Sequence, residues 1–272
     1  MDRYAVFGSP IVQSKSPLIH RVFAQQTGQD LRYDAIEPAR GEFQSSITEF
    51  FADGALGAIV TAPFKLEAFN FASELTERAR LAGAVNTLKR LSNGKIQGDN
   101  TDGQGLVEDL LRQFGSIQGL SILLLGAGGA AQGVIAPLFR AGVASICIAN
   151  RTEHKAKALA QKFECLGSVV GCSLNALPST DFALLINSTS SSMTGDVPEV
   201  KLCEIKNLSY AYDMFYQDSQ TSFMQWVFEH NSRVQISDGL GMLVAQAAES
   251  FYVWRGLRPE IISVIEKLRS HL

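Results

Sequence analysis

Short apolar runs alternate with stretches of helical periodicity along most of the chain. In the first third, the runs typical of strands lie at residues 4–8, 31–36, 57–61 and 83–88. Phe43, Ile47 and Phe50 recur at the three- and four-residue spacing of a helix that buries one face, and residues 18–26 and 65–75 also predict helices. Strands alternating with helices predict an α/β fold with a mostly parallel sheet covered by helices.

A second pattern begins near residue 122, where four apolar residues run into glycines and then into helix-compatible sequence. Gly126, Gly128 and Ala131 fit the G-x-G-x-x-G/A motif, in which the small residues allow a tight turn and a close approach of backbone N–H groups to a pyrophosphate. The free N–H groups at residues 129–132 favour an anion there. Further strand-like runs follow at residues 144–149, 168–172, 182–187 and 210–214. We therefore predict a Rossmann-type dinucleotide-binding domain.

The strand at residues 144–149 ends without the acidic residue that usually binds the ribose 2′-hydroxyl of NAD. Asn150, Arg151 and Thr152 follow it, and Lys155 comes shortly after. Two cations with a hydroxyl between them suit a 2′-phosphate dianion, so the sequence favours NADP over NAD. An ordinary solvated helix start is the alternative interpretation, because basic residues are common on exposed helix faces.

Composition narrows the class of protein. The 272 residues are 46% hydrophobic and 19% charged with a formal net charge of −3, which is typical of a globular protein and lacks the basic stripe of a nucleic-acid-binding protein. The first residues contain no apolar export segment, so we expect a cytoplasmic protein. Residues 117–139 carry no charge, but glycines and a proline interrupt them, and we predict no membrane span.

The cysteines and histidines do not have the spacing of a metal site. Cys147, Cys165, Cys172 and Cys203 form no C-x-x-C pair, and the four histidines are scattered. We interpret the cysteines as reduced thiols and predict no bound metal.

Several polar residues occupy positions that local structure alone does not explain. Lys65 begins a predicted helix, where the helix dipole disfavours a cation, and Asn86 interrupts an apolar run. The segment at residues 98–103 supplies more polar groups than one helix end requires, although Asp102 is also suited to act as a helix cap. Ser16 is a candidate N-cap, and in an extended segment Ser14 and Ser16 would present two hydroxyls in the same direction.

Ordered motifs extend this picture over nearly the whole chain. They are Val6-Phe7-Gly8, Ser14-Lys15-Ser16-Pro17, Val60-Thr61-Ala62-Pro63-Phe64-Lys65, Gly83-Ala84-Val85-Asn86-Thr87, Gly98-Asp99-Asn100-Thr101-Asp102-Gly103, Gly126-Ala127-Gly128-Gly129-Ala130, Asn150-Arg151-Thr152, Tyr212-Asp213-Met214-Phe215-Tyr216 and Asp238-Gly239-Leu240-Gly241-Met242. In this order the motifs resemble the shikimate dehydrogenase family. The resemblance implies a substrate-binding catalytic domain over residues 1–102, completed by C-terminal helices at 239–272, and an NADP-binding Rossmann domain over residues 103–238.

The resemblance also implies an activity and its residues. The activity is the reversible NADPH-dependent reduction of 3-dehydroshikimate to shikimate on the chorismate route to aromatic amino acids. Ser14, Ser16 and Tyr216 would hold the substrate carboxylate, and the groups around the hydroxyls would be Thr61, Lys65, Asn86, Asp102 and Gln246. A reduced carbonyl oxygen needs a proton, and Lys65 paired with Asp102 is suited to supply it. The expected NADP contacts are Glu77, Gly126, Ala127, Gly128, Gly129, Ala130, Asn150, Arg151, Thr152, Lys155, Met214 and Gly239.

Two departures and two alternatives accompany the resemblance. Ile59 stands where the family usually has asparagine, and Lys155 stands where arginine is frequent. The first alternative is a quinate/shikimate dehydrogenase that uses NAD, against which Arg151 speaks. The second is a noncatalytic nucleotide-sensing homologue, against which the presence of both Lys65 and Asp102 speaks. The sequence leaves open whether Lys65 donates the proton or mainly orients a hydroxyl, and whether the protein is a monomer or a homodimer.

Overall fold

The computed structural model describes residues 1–179, 181–202, 205 and 207–270. They form two compact units, the first made of Met1–Gly105 and Val244–Ser270 and the second of Leu106–Leu243. Among these residues, no helix is both long enough and apolar enough to cross a membrane. No group of three or more His, Cys, Asp or Glu side chains in the described ranges is arranged to hold a metal ion. Cys147, Cys165 and Cys172 have free thiols, whereas Cys203 lies outside the described residues.

The first unit contains a six-stranded sheet with helices beside it. Its elements up to the second unit are β1 (Asp2–Phe7), α1 (Ser16–Thr27), β2 (Leu31–Ile36), α2 (Phe43–Ala52), β3 (Gly57–Val60), α3 (Lys65–Phe71), β4 (Glu74–Leu75), α4 (Glu77–Ala82), β5 (Thr87–Arg90), β6 (Ile96–Asp99) and the start of α5 (Asp102–Phe114). The strand order is β2-β1-β3-β5-β6-β4. As predicted, α2 buries Phe43, Ile47 and Phe50 against the sheet core.

This sheet is mostly parallel, as the chain pattern predicts, but one of its strands, β5, runs in the opposite direction. β1 pairs in parallel with β2 and β3, and β4 with β6, but β5 is antiparallel to both β3 and β6. The reason is the tight connection between β5 and β6, where the N–H of Leu91 donates to the carbonyl of Lys95 and Gly94 has a φ of 81°. So short a connection reverses the chain and has no room for a crossover helix.

The second unit has a parallel six-stranded sheet. Its elements are β7 (Ser121–Leu125), α6 (Gly129–Arg140), β8 (Ser145–Asn150), α7 (Glu153–Phe163), β9 (Ser168–Ser173), β10 (Leu184–Asn187), a 3₁₀ helix at Ser191–Thr194, β11 (Tyr210–Asp213), α8 (Ser222–His230) and β12 (Gln235–Ser237). The order β12-β11-β10-β7-β8-β9 reverses direction beside β7, which creates the crevice where α/β sheets bind ligands. The predicted Rossmann-type fold is confirmed. Helices α9 (Leu240–Arg255) and α10 (Ile262–Arg269) follow.

Several element boundaries differ from the sequence prediction. Helix α3 ends at Phe71 because Ala72 is extended, and residues 74–75 then pair with β6. The strand expected at residues 83–88 begins only at Thr87, because Gly83 closes α4 with a φ of 63°. Helix α1 begins at Ser16, so the N-cap is Lys15 and not Ser16.

His20 is a fully buried titratable residue in the first unit. Its ring stacks on Tyr33 with a centroid distance of 4.3 Å and lies 5.9 Å from Phe23 and 5.2 Å from Trp254. Within the described part of the chain, neither ring nitrogen has a hydrogen-bond partner. Burial therefore lowers the pKa of His20 to about 3, and the folded protein holds the neutral ring.

We expect His20 to destabilise the folded state progressively as the pH falls. Its pKa is lower in the folded than in the unfolded chain, so the unfolded chain takes up the proton first, from about pH 6.5 downwards. His20→Phe retains a ring but does not titrate. The free energy of unfolding of the variant minus that of the wild type should rise between pH 7 and pH 5, by at most about 1.4 kcal/mol per pH unit below the unfolded pKa. Urea unfolding at several pH values measures this difference, and an offset independent of pH would contradict the prediction.

Candidate active site

Lys65 and Asp102 form a partly buried ion pair in the first unit. The Lys65 Nζ donates to Asp102 Oδ2 over 2.5 Å. Lys65 is the first residue of α3, and its carbonyl accepts from the N–H of Val85, which fixes the backbone at this point. Asp102 is the first residue of α5, and its side chain binds Lys65 and Asn86 rather than serving only as a cap. The pair places an ammonium group next to a carboxylate, in the segments that follow the carboxyl ends of β3 and β6.

The Asn86 side chain connects this pair to a buried polar cluster. Its Nδ2 lies 2.9 Å from Asp102 Oδ1, 2.8 Å from Thr101 Oγ1 and 3.2 Å from Gln246 Oε1. Its Oδ1 accepts from the Thr101 N–H at 2.9 Å and from the Thr87 hydroxyl at 2.8 Å. Asn86 is 1% exposed, so these contacts replace the water that the amide loses on burial. The structure thus brings four predicted site residues together: Lys65, Asn86, Asp102 and Gln246.

The hydroxyls of Thr87, Thr101 and Ser250 contact one another next to this cluster. The Ser250 Oγ lies 2.8 Å from Thr87 Oγ1 and 3.0 Å from Thr101 Oγ1, and it donates to the carbonyl of Gln246. Ser250 lies one helical turn after Gln246 on α9, so the contact fixes the helix that carries Gln246. The sequence gives little signal for Ser250, because it follows the charged Glu249 on α9 and resembles an ordinary polar position.

A buried ion network holds the neighbouring strand end. Arg78 donates twice to Asp99 at 2.6 Å and once to Glu249 at 2.8 Å, and Arg258 binds the other Glu249 oxygen at 2.7 Å. Burial alone would raise the pKa of Asp99, but the hydrogen bonds and charge of Arg78, with help from Thr76, hold it below its usual range. The network fixes the end of β6 three residues before Asp102, and the sequence pattern does not predict it.

Ser14 and Ser16 lie close together, but not in the expected extended segment. Residues 12–13 form a turn and Lys15 is helical, so the expectation of an extended segment is wrong. Instead, the Ser16 N–H donates to Ser14 Oγ over 3.3 Å, and Ser16 Oγ lies 3.3 Å from the Tyr33 hydroxyl. The short loop before α1 therefore places the Ser14 hydroxyl against the backbone of Ser16.

Thr61 follows β3, and its N–H donates to the carbonyl of Phe7. A Cβ on Gly8 would lie 2.4 Å from Thr61 Cγ2, so only glycine allows this approach. Ile59 is 5% exposed and packs in an apolar cluster with Tyr4 and Trp254. Its side chain therefore belongs to the core, where the amide of an asparagine would need buried partners.

The glycine-rich turn of the second unit has the geometry of an anion cradle. Gly126 has a φ of 103°, and a Cβ there would lie 2.7 Å from Ser188 Oγ. Gly128 is the N-cap of α6, and Gly128, Gly129 and Ala130 are exposed at its N-terminus. Ala127 lies between the two glycines. The first free N–H groups of a 12-residue helix are thus open to a phosphate group.

A cavity of about 840 Å³ lies beside this turn. Its lining includes Gly126, Asn150, Arg151, Leu174, Thr189, Ser190, Ser191 and Thr194. The Asn150 Nδ2 donates to the carbonyl of Thr152 at 3.0 Å and so orders the segment after β8. Arg151 and Lys155 are exposed, and neither forms an ion pair within the described residues. Arg151 lines the cavity, whereas Lys155 and Thr152 do not.

Asp213 organises the wall of this cavity. Its Oδ2 accepts from the hydroxyls of Ser192 at 2.6 Å and Thr221 at 2.7 Å, and its Oδ1 accepts from Asn187 and from the N–H of Phe215. Asp213 is fully buried. Burial raises its pKa, and the four donors oppose that shift. One carboxylate thus joins β10, the 3₁₀ helix, α8 and the segment after β11.

The remaining predicted contacts lie on the segment after β11, next to the start of α9, and on α4. A Cβ on Gly239 would lie 2.3 Å from the Met214 carbonyl oxygen, and the Gly239 N–H donates to Phe215. Met214 and Gly239 are therefore in contact. Tyr216 is half-buried in the second unit, where burial and then the charge of Asp238 raise its pKa. Glu77 is the exposed first residue of α4 in the first unit.

A Rossmann-type unit with a phosphate cradle, and a unit with a lysine–carboxylate pair, define the class of protein as a nucleotide-dependent oxidoreductase. Three family models match in chain order: Shikimate dehydrogenase substrate binding domain (residues 6–88), Shikimate / quinate 5-dehydrogenase (residues 108–194) and Shikimate 5′-dehydrogenase C-terminal domain (residues 239–269). The chain is 54% identical to "Shikimate dehydrogenase (NADP(+))" of Pseudoalteromonas atlantica over 100% of both chains. This chain belongs to the shikimate dehydrogenase family.

Solved structures agree with this membership. The fold matches the Ael1 enzyme from Pseudomonas putida with a TM-score of 0.93 and 40% identity, over 98% of each chain. It matches the shikimate 5-dehydrogenase from Thermus thermophilus, solved with NADP(H) and shikimate, with a TM-score of 0.86 and 28% identity over 100% of each chain.

We expect Asp213→Ala to destabilise the second unit strongly, because it leaves four buried donors without their acceptor. Its cost should be about 3–5 kcal/mol in the free energy of unfolding, as for other broken buried networks. Thr221→Val removes one of the four donors and should cost about 1–2 kcal/mol. Urea unfolding measures both values. Equal costs for the two variants would mean that Asp213 is not the centre of the network.

Proposed function

We propose that this chain catalyses the reversible NADPH-dependent reduction of 3-dehydroshikimate to shikimate, on the chorismate route to aromatic amino acids. Family membership supports the reaction and its cofactor, since curated relatives at 50–54% identity are NADP-dependent shikimate dehydrogenases. The observation that carries the proposal is the Lys65–Asp102 pair, which Asn86 joins to Gln246. An assay of the purified protein with shikimate and either NADP or NAD tests it, and the expected result is faster turnover with NADP.

The Lys65 ammonium is the proton donor of the proposed mechanism. NADPH, when bound, would supply the hydride, and the carbonyl oxygen of the substrate would then need a proton and a positive charge beside it. Asp102 holds the ammonium at 2.5 Å and is itself held by Asn86. Asp102 restricts the ammonium and Asn86 restricts Asp102, so little ordering remains when the substrate arrives. In the reverse direction the same pair accepts the proton from the hydroxyl of shikimate.

The proposed substrate contacts divide by chemistry. Ser14, Ser16 and Tyr216 hold the carboxylate, since hydroxyl donors suit an anion that must bind without a permanent ion pair. Thr61, Asn86 and Gln246 contact the ring hydroxyls, together with Lys65 and Asp102. The substrate-binding domain is assigned to residues 1–102 with the C-terminal residues 239–272, of which 271–272 lie outside the described part.

The NADP-binding domain is assigned to residues 103–238. The exposed N–H groups from Gly128 to Ala130, which follow the turn at Gly126 and Ala127, fit the pyrophosphate, and the Asn150–Lys155 segment fits the 2′-phosphate. Met214 and Gly239 are assigned to the nicotinamide end, with Glu77 as a further cofactor contact from the first unit. The alternative that uses NAD has no acidic residue at the end of β8 to support it, because Asn150 and Arg151 stand there.

We assign the protein to the cytoplasm, as a monomer or homodimer. The free thiols of Cys147, Cys165 and Cys172 suit a reducing compartment. Cell fractionation tests the location, and sedimentation of the purified protein tests the oligomeric state.

Lys65→Ala should abolish most turnover and change shikimate binding only modestly, because a proton donor acts chiefly in the transition state. The expected loss in kcat is about 10²–10⁴-fold, and Asp102→Asn should also lose kcat. The matched control is Lys95→Ala, which removes an exposed lysine that pairs with Glu74 at 2.9 Å. Steady-state kinetics measure all three variants. A near-normal kcat with a raised KM would replace proton transfer with a binding role for Lys65.

Removing Arg151 and Lys155 together should raise the KM for NADP and leave that for NAD nearly unchanged. Each charge-assisted hydrogen bond is worth about 1.5–3 kcal/mol, so one lost contact implies roughly a tenfold to hundredfold effect. Arg151→Ala should cost more than Lys155→Ala, because Arg151 lines the cavity and its planar guanidinium binds phosphate by two bonds.

Lys157→Ala is the control for these variants. Lys157 lies on α7, as Lys155 does, and pairs with Glu153 at 2.8 Å. It should leave both cofactors unaffected. Added salt should weaken NADP binding more than NAD binding, since the extra contact is an exposed electrostatic one. If the double variant raised the KM for NADP and the KM for NAD equally, the segment at residues 150–155 would support the fold and would not contact the 2′-phosphate.

A further inference from the structure

The Tyr33 hydroxyl has one polar contact among the described residues, and that contact is Ser16. Tyr33 lies on β2, and its Oη is 3.3 Å from Ser16 Oγ at the start of α1. The ring is held by packing, because it stacks on His20 at 4.3 Å and lies 6.3 Å from Trp254. Neither ring nitrogen of His20 forms a hydrogen bond within the described residues. The stack therefore fixes the Tyr33 ring without a hydrogen bond to the Tyr33 hydroxyl.

Hydrogen-bond chemistry determines the direction of this contact when an anion is bound. A carboxylate only accepts, so a serine that binds it must give its single proton to it. Ser16 Oγ can then only accept from Tyr33. Burial raises the pKa of Tyr33, which keeps the phenol protonated. The phenol therefore keeps its proton and can donate it to Ser16 Oγ.

The Ser14 hydroxyl also accepts a hydrogen bond, in this case from the backbone. Its Oγ accepts from the Ser16 N–H at 3.3 Å, which leaves the Ser14 proton available to a ligand. Each of the two hydroxyl oxygens thus has a donor behind it. A chain of hydrogen bonds polarises its members, so each serine becomes a better donor to an anion than it would be alone.

We propose that Tyr33 is a positioning residue for the substrate carboxylate: its hydroxyl donates to Ser16 Oγ and so directs the Ser16 proton to the carboxylate. The inference rests on the proposed function, in which Ser14 and Ser16 bind that carboxylate. Tyr33 itself does not touch the substrate in this arrangement. It acts through Ser16 alone.

Tyr33→Phe tests the inference, because it keeps the stacked ring and removes the hydroxyl. The KM for shikimate should rise about fivefold, the effect of one neutral hydrogen bond, while kcat and the KM for NADP stay within about twofold. The matched control is Tyr4→Phe. Tyr4 is the register partner of Tyr33 on β1 and also packs on Trp254, but its hydroxyl lies 3.3 Å from Arg255 and not near Ser16. Tyr4→Phe should leave the KM for shikimate unchanged.

Two further readouts separate positioning from a structural role. The methyl ester of shikimate lacks the anionic carboxylate, so the preference for shikimate over the ester, measured as a ratio of kcat/KM values, should fall in Tyr33→Phe and not in Tyr4→Phe. In a Ser16→Ala background, Tyr33→Phe should add less than about twofold to the KM, because the two residues act in series.

Each outcome supports or overturns the inference. Equal effects of the two tyrosine variants, an unchanged preference for the acid over the ester, or additive effects of Tyr33→Phe and Ser16→Ala would each overturn it. If Ser16→Ala left the KM for shikimate unchanged, the assignment of the carboxylate to Ser16 would fail and the inference with it. If the wild type did not reduce NADP with shikimate, the proposed function itself would be wrong.

Discussion

The side-chain amide of Asn86 is the contact on which the polar cluster of the first unit depends. It faces the carboxylate of Asp102 on one side and the hydroxyl of Thr101 on another, and its oxygen accepts from the Thr101 backbone. Asn86 sits in the loop before β5, Asp102 begins α5 and Gln246 lies on α9. A single buried amide thus sets the distances among three separate elements. Lys65 completes the cluster, because its ammonium binds the Asp102 oxygen that Asn86 leaves available.

The second unit uses a buried carboxylate for a similar purpose. Asp213 collects donors from Asn187, Ser192, Thr221 and its own chain, and these contacts fix the wall of the cavity beside Gly126. A buried carboxylate is costly unless donors surround it, so the arrangement of those donors is strongly determined. In the first unit, the proposed substrate contacts Lys65, Asn86, Asp102 and Gln246 are themselves members of the buried network. In the second unit, the network of Asp213 includes Ser192, the residue after the cavity-lining Ser191.

Sequence patterns predicted the second unit better than the first. The glycine motif after β7 and the parallel sheet follow from local rules, because a buried parallel strand reads as a continuous apolar run. The pattern missed β6 and the reversal of β5, because the connecting turn is short and β6 contains Gln97, Gly98 and Asp99. Lys65, Asn86 and Asp102 could be predicted because each is a polar residue that local secondary structure alone does not explain. The pairing of Arg78 with Glu249 could not be predicted, since a charged residue whose partner is distant in the chain resembles any surface charge.

The antiparallel pairing of β5 with β6 has a consequence for how the family can vary. Thr87 faces Asp99 at the end of the hairpin next to the polar cluster, and Arg90 faces Ile96 at the end next to the turn. A Cβ on Gly98 would lie 2.7 Å from Val85 and 2.8 Å from Ala72. If the pairing of β6 shifted by one residue, a side chain would occupy the place of Gly98 and would clash with these neighbours. The hairpin is therefore anchored at one end. Insertions and deletions can accumulate in the turn at residues 91–95 without altering the alignment of the catalytic strand ends.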